Sequence, residues 1–439
     1  MAERTQHSFF SKFNETTVVF LLMFVLFLAE LRNWNPACAD NAYRYLKPIF
    51  QTIISVLIIG LALKKTNPSS ATDNLNPKWY WLVFAGGFLV SFSYAFYALN
   101  AVPVAETSSD IVISIEAYVQ RFLAGEAIYE PIVHNTHTVI PNYLSMMWMP
   151  FIPAELLNFD YRLMAFLIAV LGFFVYTKRA IKKDCNTAIK MLLVLSPWLV
   201  FFVVAKMQKS VLTHSIEWMI VGFYFILAYS IFSKNAILKG IGVGLVALSR
   251  FSFFTWGPFY VFTTYKSLGL RKTLIALGTL TTLILGLFVF PFFIKDTTIL
   301  EKGNAYYETV MAREWQVHEW QEEDEVPFHL SRGDNFAVFF HSFQDGTPTE
   351  KIQSIRTVLL YSSLFGGLFI FFLYFRYKDQ LSLAFLNLIG LKIILLIFYA
   401  FIIVPFEYLF LPPICISLFL MMEKWENIPS TASTSNAPE

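Results

Sequence analysis

The chain has 439 residues and a formal net charge of +2; 56% of its residues are hydrophobic and 15% charged. A soluble domain carries about 25% charged residues, so this length does not read as two or three soluble domains. The apolar surplus has to face lipid, and no basic stripe points to a nucleic-acid partner.

A helix needs about 20 apolar residues to cross a bilayer. Residues 1–100 hold three such runs, at 16–31, 46–63 and 79–100. The first has no small-residue cleavage site and reads as an anchor rather than a removable signal. A polar segment, 101–160, follows. The central block, 161–293, holds runs at 161–177, 186–204, 211–232 and 272–293. A second polar segment, 294–355, precedes the last block, 356–422, with runs at 356–375, 381–401 and 405–422. Within the central block, 237–249 and 252–266 are each too short to cross, and they join at Ser249-Arg250-Phe251. Lys234 and Lys239 precede them; Lys266, Arg271 and Lys272 follow. The pair therefore reads as a V-shaped re-entrant hairpin, 237–266, with both ends on one side. The expected fold is all-α: a polytopic transmembrane bundle of about 10–12 membrane helices, hairpin included, with interfacial helices in the outer loops. The tail, 423–439, is polar and expected to be disordered.

Lys/Arg bias sets orientation. Lys64, Lys65 and Lys78, then Lys178, Arg179, Lys182 and Lys183, then Arg376 and Lys378 fall on one side by alternation. With both termini cytoplasmic, 101–160 and 294–355 lie outside. The expected setting is a bacterial inner membrane. His134, His137, His318, His329 and His341 fall in these two outer loops, and His214 at the outer start of its helix. Histidine titrates near neutrality, so its gathering on one face marks that face for chemistry. Cys38, Cys185 and Cys415 are far apart in different compartments, which argues against a disulfide or a zinc site.

In the first outer loop, Ile111, Ile115, Tyr118, Val119 and Phe122 recur at helical spacing, and Gly125 stops the pattern. The predicted helix, 107–124, is too short to span and reads as interfacial. Asp110 sits at its start. Thr107-x-x-Asp110 fits a capping box, a role that can coexist with chemistry. Beyond it come Phe122-Leu-Ala-Gly-Glu-Ala-Ile-Tyr129, Pro141-Asn-Tyr-Leu144 and Pro150-Phe-Ile-Pro-Ala-Glu-Leu-Leu157.

This order of an acidic residue, an interfacial helix and Pro-containing steps resembles the GT-C superfamily of integral membrane glycosyltransferases. It is most similar to the polyprenol-phosphate-mannose-dependent mannosyltransferases. The short Gly240-x-Gly-x-Gly hairpin leg ending in Ser249-Arg250, and Pro405-Phe-Glu-Tyr-Leu-Phe-Leu-Pro-Pro413, fit the same likeness. The chain departs from it in three places: Glu407 stands where many relatives carry His or Arg, Pro-Asn replaces Pro-Pro, and two extra helices precede the catalytic loop. The resemblance implies an inverting transfer of a sugar, a mannosyl or other hexosyl group, from a polyprenyl-phosphate donor to a glycan, lipid or protein acceptor on the outer face. It implies Asp110 as the general base.

A leaving phosphate needs positive charge nearby. Arg250, Lys206, Lys209 and Arg332 are the candidates; Lys206 and Lys209 also fit interfacial anchoring. His134, His137, Asp160 and Arg162 are candidates for acceptor binding or support. Asp160 and Arg162 also fit an ion pair at a helix start, and Asp160 is the second catalytic carboxylate to consider. Glu314, His318 and Glu322, at i, i+4 and i+8, suit a divalent ion, which some members of the superfamily use, but equally a solvated helix face. Lys392 lies mid-helix in the membrane, where a charge is costly and is paired or lines a cavity; Glu217 is a partner to consider. Two competing functions fit the same outline: a lipid-linked-sugar transporter or flippase, which would show inverted repeats, and a polysaccharide polymerase or ligase. A purely structural membrane protein is a third alternative.

Overall fold

The computed structural model describes residues 15–34, 43–66, 75–104, 110–133, 138–317, 321, 325–404 and 406–425. Three helices come first: α1 (Glu15–Asn33), α2 (Tyr43–Leu63) and α3 (Pro77–Asn100). The first polar segment holds α4 (Asp110–Ala124), the two-residue antiparallel strands β1 (Ile132–Val133) and β2 (Thr138–Val139), and the short helices α5 (Ser145–Trp148) and α6 (Ile152–Leu156). The central block runs α7 (Tyr161–Ala180), α8 (Thr187–Met207), α9 (Lys209–Thr213), α10 (Glu217–Ile231), α11 (Ala236–Ala247), α12 (Gly257–Leu268) and α13 (Leu270–Ile284), which continues as a π-helix to Phe293. The second polar segment folds into α14 (Ile299–Glu314), α15 (Phe328–Arg332) and α16 (Ala337–Phe343). The last block holds α17 (Pro348–Tyr377), α18 (Leu383–Ala400) and α19 (Leu411–Glu423).

Among the described residues, seven helices are long and apolar enough to cross a membrane: α2, α3, α7, α8, α13 with its continuation, α17 and α18. Their starts follow local chemistry. The side chains of Asn76, Asp160, Asn186, Asn235 and Ser382 each accept from a backbone N–H of the first turn of α3, α7, α8, α11 and α18, satisfying donors that the helix cannot. Thr347 and Glu350 close a full capping box on α17. That cap starts the helix at Pro348, inside the segment that hydropathy assigns to the loop. The run 211–232 also differs from its expected continuous form. It breaks between α9 and α10, where Ser215 Oγ bonds back to the Val211 carbonyl (2.7 Å) and accepts from Glu217 N (3.3 Å).

Close helix approach depends on glycine. A Cβ at Gly172 of α7 would sit 2.9 Å from Gly222 Cα of α10, and one at Gly222 would strike the Ile168 carbonyl. Small residues at such crossings bring backbones into van der Waals contact in an apolar medium. The Gly240-x-Gly-x-Gly244 leg works on two sides. A Cβ at Gly240 would lie 2.5 Å from the Ala276 carbonyl of α13, and one at Gly242 would lie 2.5 Å from Ser230 Oγ of α10. The leg α11 is thus wedged between α10 and α13, while α12 turns away towards α17 and α18: Trp256 Nε1 donates to the Asn387 carbonyl (3.0 Å), and Phe259 packs edge-on to Phe371.

Buried charges are paired across the bundle. Lys392 Nζ lies 2.6 Å from Glu30 Oε1, both side chains fully buried; the partner considered from sequence, Glu217, is engaged elsewhere. Lys392 also donates to the Pro413 carbonyl (2.9 Å), while Ser417 and Ser55 donate to Glu30. At the other end of α19, Glu423 accepts from Arg179 and Lys183, binding the end of α7 to the end of α19.

Candidate active site at the hairpin apex

The first polar segment is built around Tyr143. α4 buries Val112, Ile115, Tyr118 and Val119, and Tyr118 OH accepts from Tyr143 N (3.1 Å). Tyr129 OH donates to the Tyr143 carbonyl (3.1 Å). The Pro-Asn-Tyr-Leu step is therefore clamped from both sides by tyrosines of the preceding stretch, whose rings meet edge to face. One turn on, Met146 N donates to the Leu248 carbonyl (2.9 Å). That bond fixes the first polar segment to the apex of the hairpin.

At the apex, Arg250 donates to the Glu217 carboxylate, with side chains 14% and 3% exposed. Its other nitrogen reaches Tyr399 OH at 3.5 Å. Behind it, Ser252 Oγ lies 2.7 Å from Tyr224 OH and accepts from Tyr399 OH (3.1 Å). Glu217 begins α10 just after the α9–α10 break, and Tyr399 lies at the end of α18. Three separate elements thus meet at one guanidinium.

The Tyr143 hydroxyl feels the charges of the Arg250–Glu217 pair. Burial pushes its hydroxyl up to about 12, Arg250 pulls it down, and Glu217, Tyr306 and Asp110 push it up. Asp110, exposed at the first position of α4, also raises the Tyr306 hydroxyl, which burial raises most and Arg313 lowers. Tyr306 lies on α14, which covers this corner: a Cβ at Gly303 would touch Asn142 at 3.2 Å. The 141–144 step is thus tied to the hairpin apex through Met146 and Leu248, to α14 through Asn142 and Gly303, and to α4 through Tyr118.

An apolar cavity of about 280 Å³ runs from this corner between α11, α12 and α13. Leu144, Phe251 and Leu300 line one part of it; Val243, Val261 and Leu280 line it on α11, α12 and α13, and Thr264 and Thr273 line it near the end of α12 and the start of α13. The space lies where α11 and α12 both face α13, while α12 also packs on α18.

The remaining sequence candidates lie elsewhere. Asp160 caps α7 through Arg162 N (2.7 Å) and accepts from Arg162 Nη2 (2.5 Å). Arg162, 3% exposed, also donates to the carbonyls of Val102 (2.7 Å), Thr213 (2.9 Å) and Leu99 (3.3 Å), so this pair ties α3, α7 and α9 together. Lys206 and Lys209 are exposed at the α8–α9 corner. Arg332 stacks its guanidinium 4.2 Å from the Phe328 ring, and its carbonyl accepts from Lys47 (2.7 Å). His134 and His137 lie outside the described residues. So do His318, Glu322 and Thr107, and with Thr107 the expected capping box. Of the candidate metal set, Glu314 is placed, and it meets His329 Nε2 at 3.3 Å. Among the described residues, no three His, Cys, Asp or Glu side chains are grouped to hold a metal ion.

Sequence reasoning passed over Tyr143, Tyr306 and Tyr399, and it weighed Glu217 only for Lys392. A signal for Glu217 existed: an acidic residue inside an otherwise apolar run needs a buried partner. The tyrosines gave none, since 21 tyrosines are spread along the chain. No protein-family model, curated protein or solved structure matches the chain.

Proposed function

We propose that this protein is a multi-pass membrane glycosyltransferase. It moves a sugar from a polyprenyl-phosphate donor to an acceptor hydroxyl on the non-cytoplasmic face. The observation that carries this reading is a juxtaposition: an apolar cavity between helices is lined by Leu144 and Phe251, the residues that follow Tyr143 and Arg250 in the chain, Arg250 is held there by the Glu217 carboxylate, and Asp110 stands exposed at the start of α4. A lipid-linked sugar phosphate has the same order of parts, an apolar tail, then a phosphate, then a sugar.

In this reading the isoprenoid tail lies in the cavity and the phosphate meets Arg250. Asp110 takes the proton of the acceptor hydroxyl, whose oxygen attacks the anomeric carbon from the face opposite the phosphate. The bond between the anomeric carbon and the phosphate oxygen breaks, and its electron pair leaves with the polyprenyl phosphate, inverting the centre. Arg250 opposes the charge that develops on that phosphate, a stabilisation that is strongest where water is excluded. Asp110 suits the base's task because an exposed carboxylate at the mouth is within reach of an incoming acceptor. Lys64, Lys65, Lys178 and Arg179, at the opposite ends of α2 and α7 from this site, support its placement on the outer face.

The test is transfer from radiolabelled polyprenyl-phosphate sugars by the full chain in nanodiscs, with a membrane extract of acceptors. Wild-type transfer and a loss of about 100-fold in Asp110→Asn is expected, the scale of a general base. Full transfer by Asp110→Asn would remove Asp110 from the chemistry. No transfer, with movement of lipid-linked sugar between leaflets instead, would replace this reading by a flippase.

A further inference from the structure

At the hairpin apex the cation offered to a phosphate is already shared with a carboxylate. Arg250, the cation at the hairpin apex, is already held by the buried Glu217 carboxylate, and Asp110 adds a second negative influence on the Tyr143 hydroxyl. Glu217 is 3% exposed, and its Oε2 is buried with no hydrogen-bond partner. A buried carboxylate oxygen without a donor is costly, and nothing in a phosphate group repairs it: a phosphodiester brings acceptors only.

Nearby cations do not change the balance. Arg313, Lys302 and Arg356 around α14 each already face an acid: Glu314 at 3.3 Å, Asp296 at 2.9 Å and Glu308 at 3.0 Å. Their side chains are 58%, 52% and 31% exposed, so water screens them, whereas the Arg250–Glu217 pair lies where charges act at closer to full strength.

We infer that Glu217 sets the charge of the ligand: it limits the phosphate held at Arg250 to a single negative charge, so the site takes a polyprenyl phosphodiester and rejects the corresponding diphosphate. This rests on the reading that a lipid-linked phosphate sits at the cavity mouth. Arg250, shared with Glu217, has attraction for one charge; a second meets the Glu217 carboxylate, and Arg250 has no further charge to offset it. Rejection by a fixed like charge is a standard source of specificity. The same balance acts on the product. Transfer converts a diester of charge −1 into a phosphate monoester, which at neutral pH carries about −1.5 to −2. Glu217 then favours release of the spent carrier.

The experiment is equilibrium binding without acceptor, to the full chain in nanodiscs, of three radiolabelled lipids of one chain length: polyprenyl phosphosugar, polyprenyl diphosphosugar and polyprenyl monophosphate. Wild type is expected to bind the phosphosugar about tenfold or more tighter than either of the others. In Glu217→Gln the three affinities are expected to come within about threefold of one another. Glu217→Asp, which keeps the charge, is expected to keep the preference; a merely structural role would not sort the two variants by charge. Wild-type binding of the diphosphate as tightly as the phosphosugar overturns the inference, even if Glu217→Gln does not fold. So does an unchanged preference in Glu217→Gln. Binding without preference would sink the charge limit alone. No binding of any of the three lipids would sink the lipid-phosphate reading as well.

Discussion

Arg250 and Glu217 join the hairpin apex to the first turn of α10, across 33 positions of sequence and almost out of contact with solvent. Removing one partner of a buried pair strands the other charge, a loss of about 3–5 kcal/mol, whereas replacing both by apolar residues of similar volume is close to neutral. Arg250→Met is therefore expected to unfold at markedly lower temperature than Arg250→Met/Glu217→Leu, measured by thermal unfolding in nanodiscs. A double variant less stable than the single would show that the pair itself holds the apex.

Lys392 and Glu30 make the same case deeper in the bundle. Their side chains are fully buried, and Ser55, Ser417 and the Pro413 carbonyl complete their shell. Lys392→Met alone leaves Glu30 charged in a dry interior and is expected to destabilise by about 3–5 kcal/mol. Adding Glu30→Gln is expected to restore most of that, with transfer activity retained, because the pair lies in the helix bundle rather than in the Tyr143 cluster. Loss of transfer in a stable double variant would give the pair a functional part.

Two glycines separate cavity from packing. A Cβ at Gly257, which lines the cavity at the start of α12, meets nothing within 4 Å. Gly257→Leu is expected to fold normally and to lower lipid-donor affinity by occupying the space. Gly222 backs directly on α7, so Gly222→Leu is expected to cost stability through forced helix separation. Comparing thermal unfolding and donor binding for the two variants checks both; normal donor binding by Gly257→Leu would put the tail elsewhere.

Asp334 gives a pH dependence with a definite sign. It lies 3.0 Å from Lys47 with both side chains buried, and it fastens the second polar segment to α2. Burial raises its carboxyl to about 6, against the pull of Lys47. A group whose folded value is raised stabilises the docked state at low pH, and that stability is lost as pH rises through the raised value. Docking of this segment is therefore expected to strengthen as pH falls from about 6 to about 4, the window between the raised value and the ordinary aspartate value. Asp334→Asn is expected to flatten the dependence. Hydrogen exchange over 328–343 at several pH values measures it; greater protection at pH 7 than at pH 5 in wild type would reverse the sign.

How much of this was legible in advance depends on the range of each signal. The apolar runs, the amphipathic helix α4, the hairpin turning at Arg250 and the Asp160–Arg162 pair are local: each rests on residues close enough in sequence for hydropathy, capping and spacing to report them. The break at His214–Ile216 was hidden because every residue around it suits an apolar helix, and a serine that bonds back to the backbone decides it.

By itself the sequence determined that the chain makes apolar helices of membrane-crossing length, because lipid leaves the backbone no other partner than its own turn. It also determined that charges such as Arg250, Glu217, Glu30 and Lys392 need partners. Tertiary structure decided which partners, pairing Glu30 with Lys392 across 362 positions and Glu217 with Arg250. It also decided that the 141–144 step docks on the hairpin apex and against α14, with Leu144 lining an apolar cavity. The physical reason is that ion pairs and cavities arise from the packing of whole helices, set by close contacts such as Gly172 on Gly222 and Gly240 on α13, which no spacing along the chain encodes.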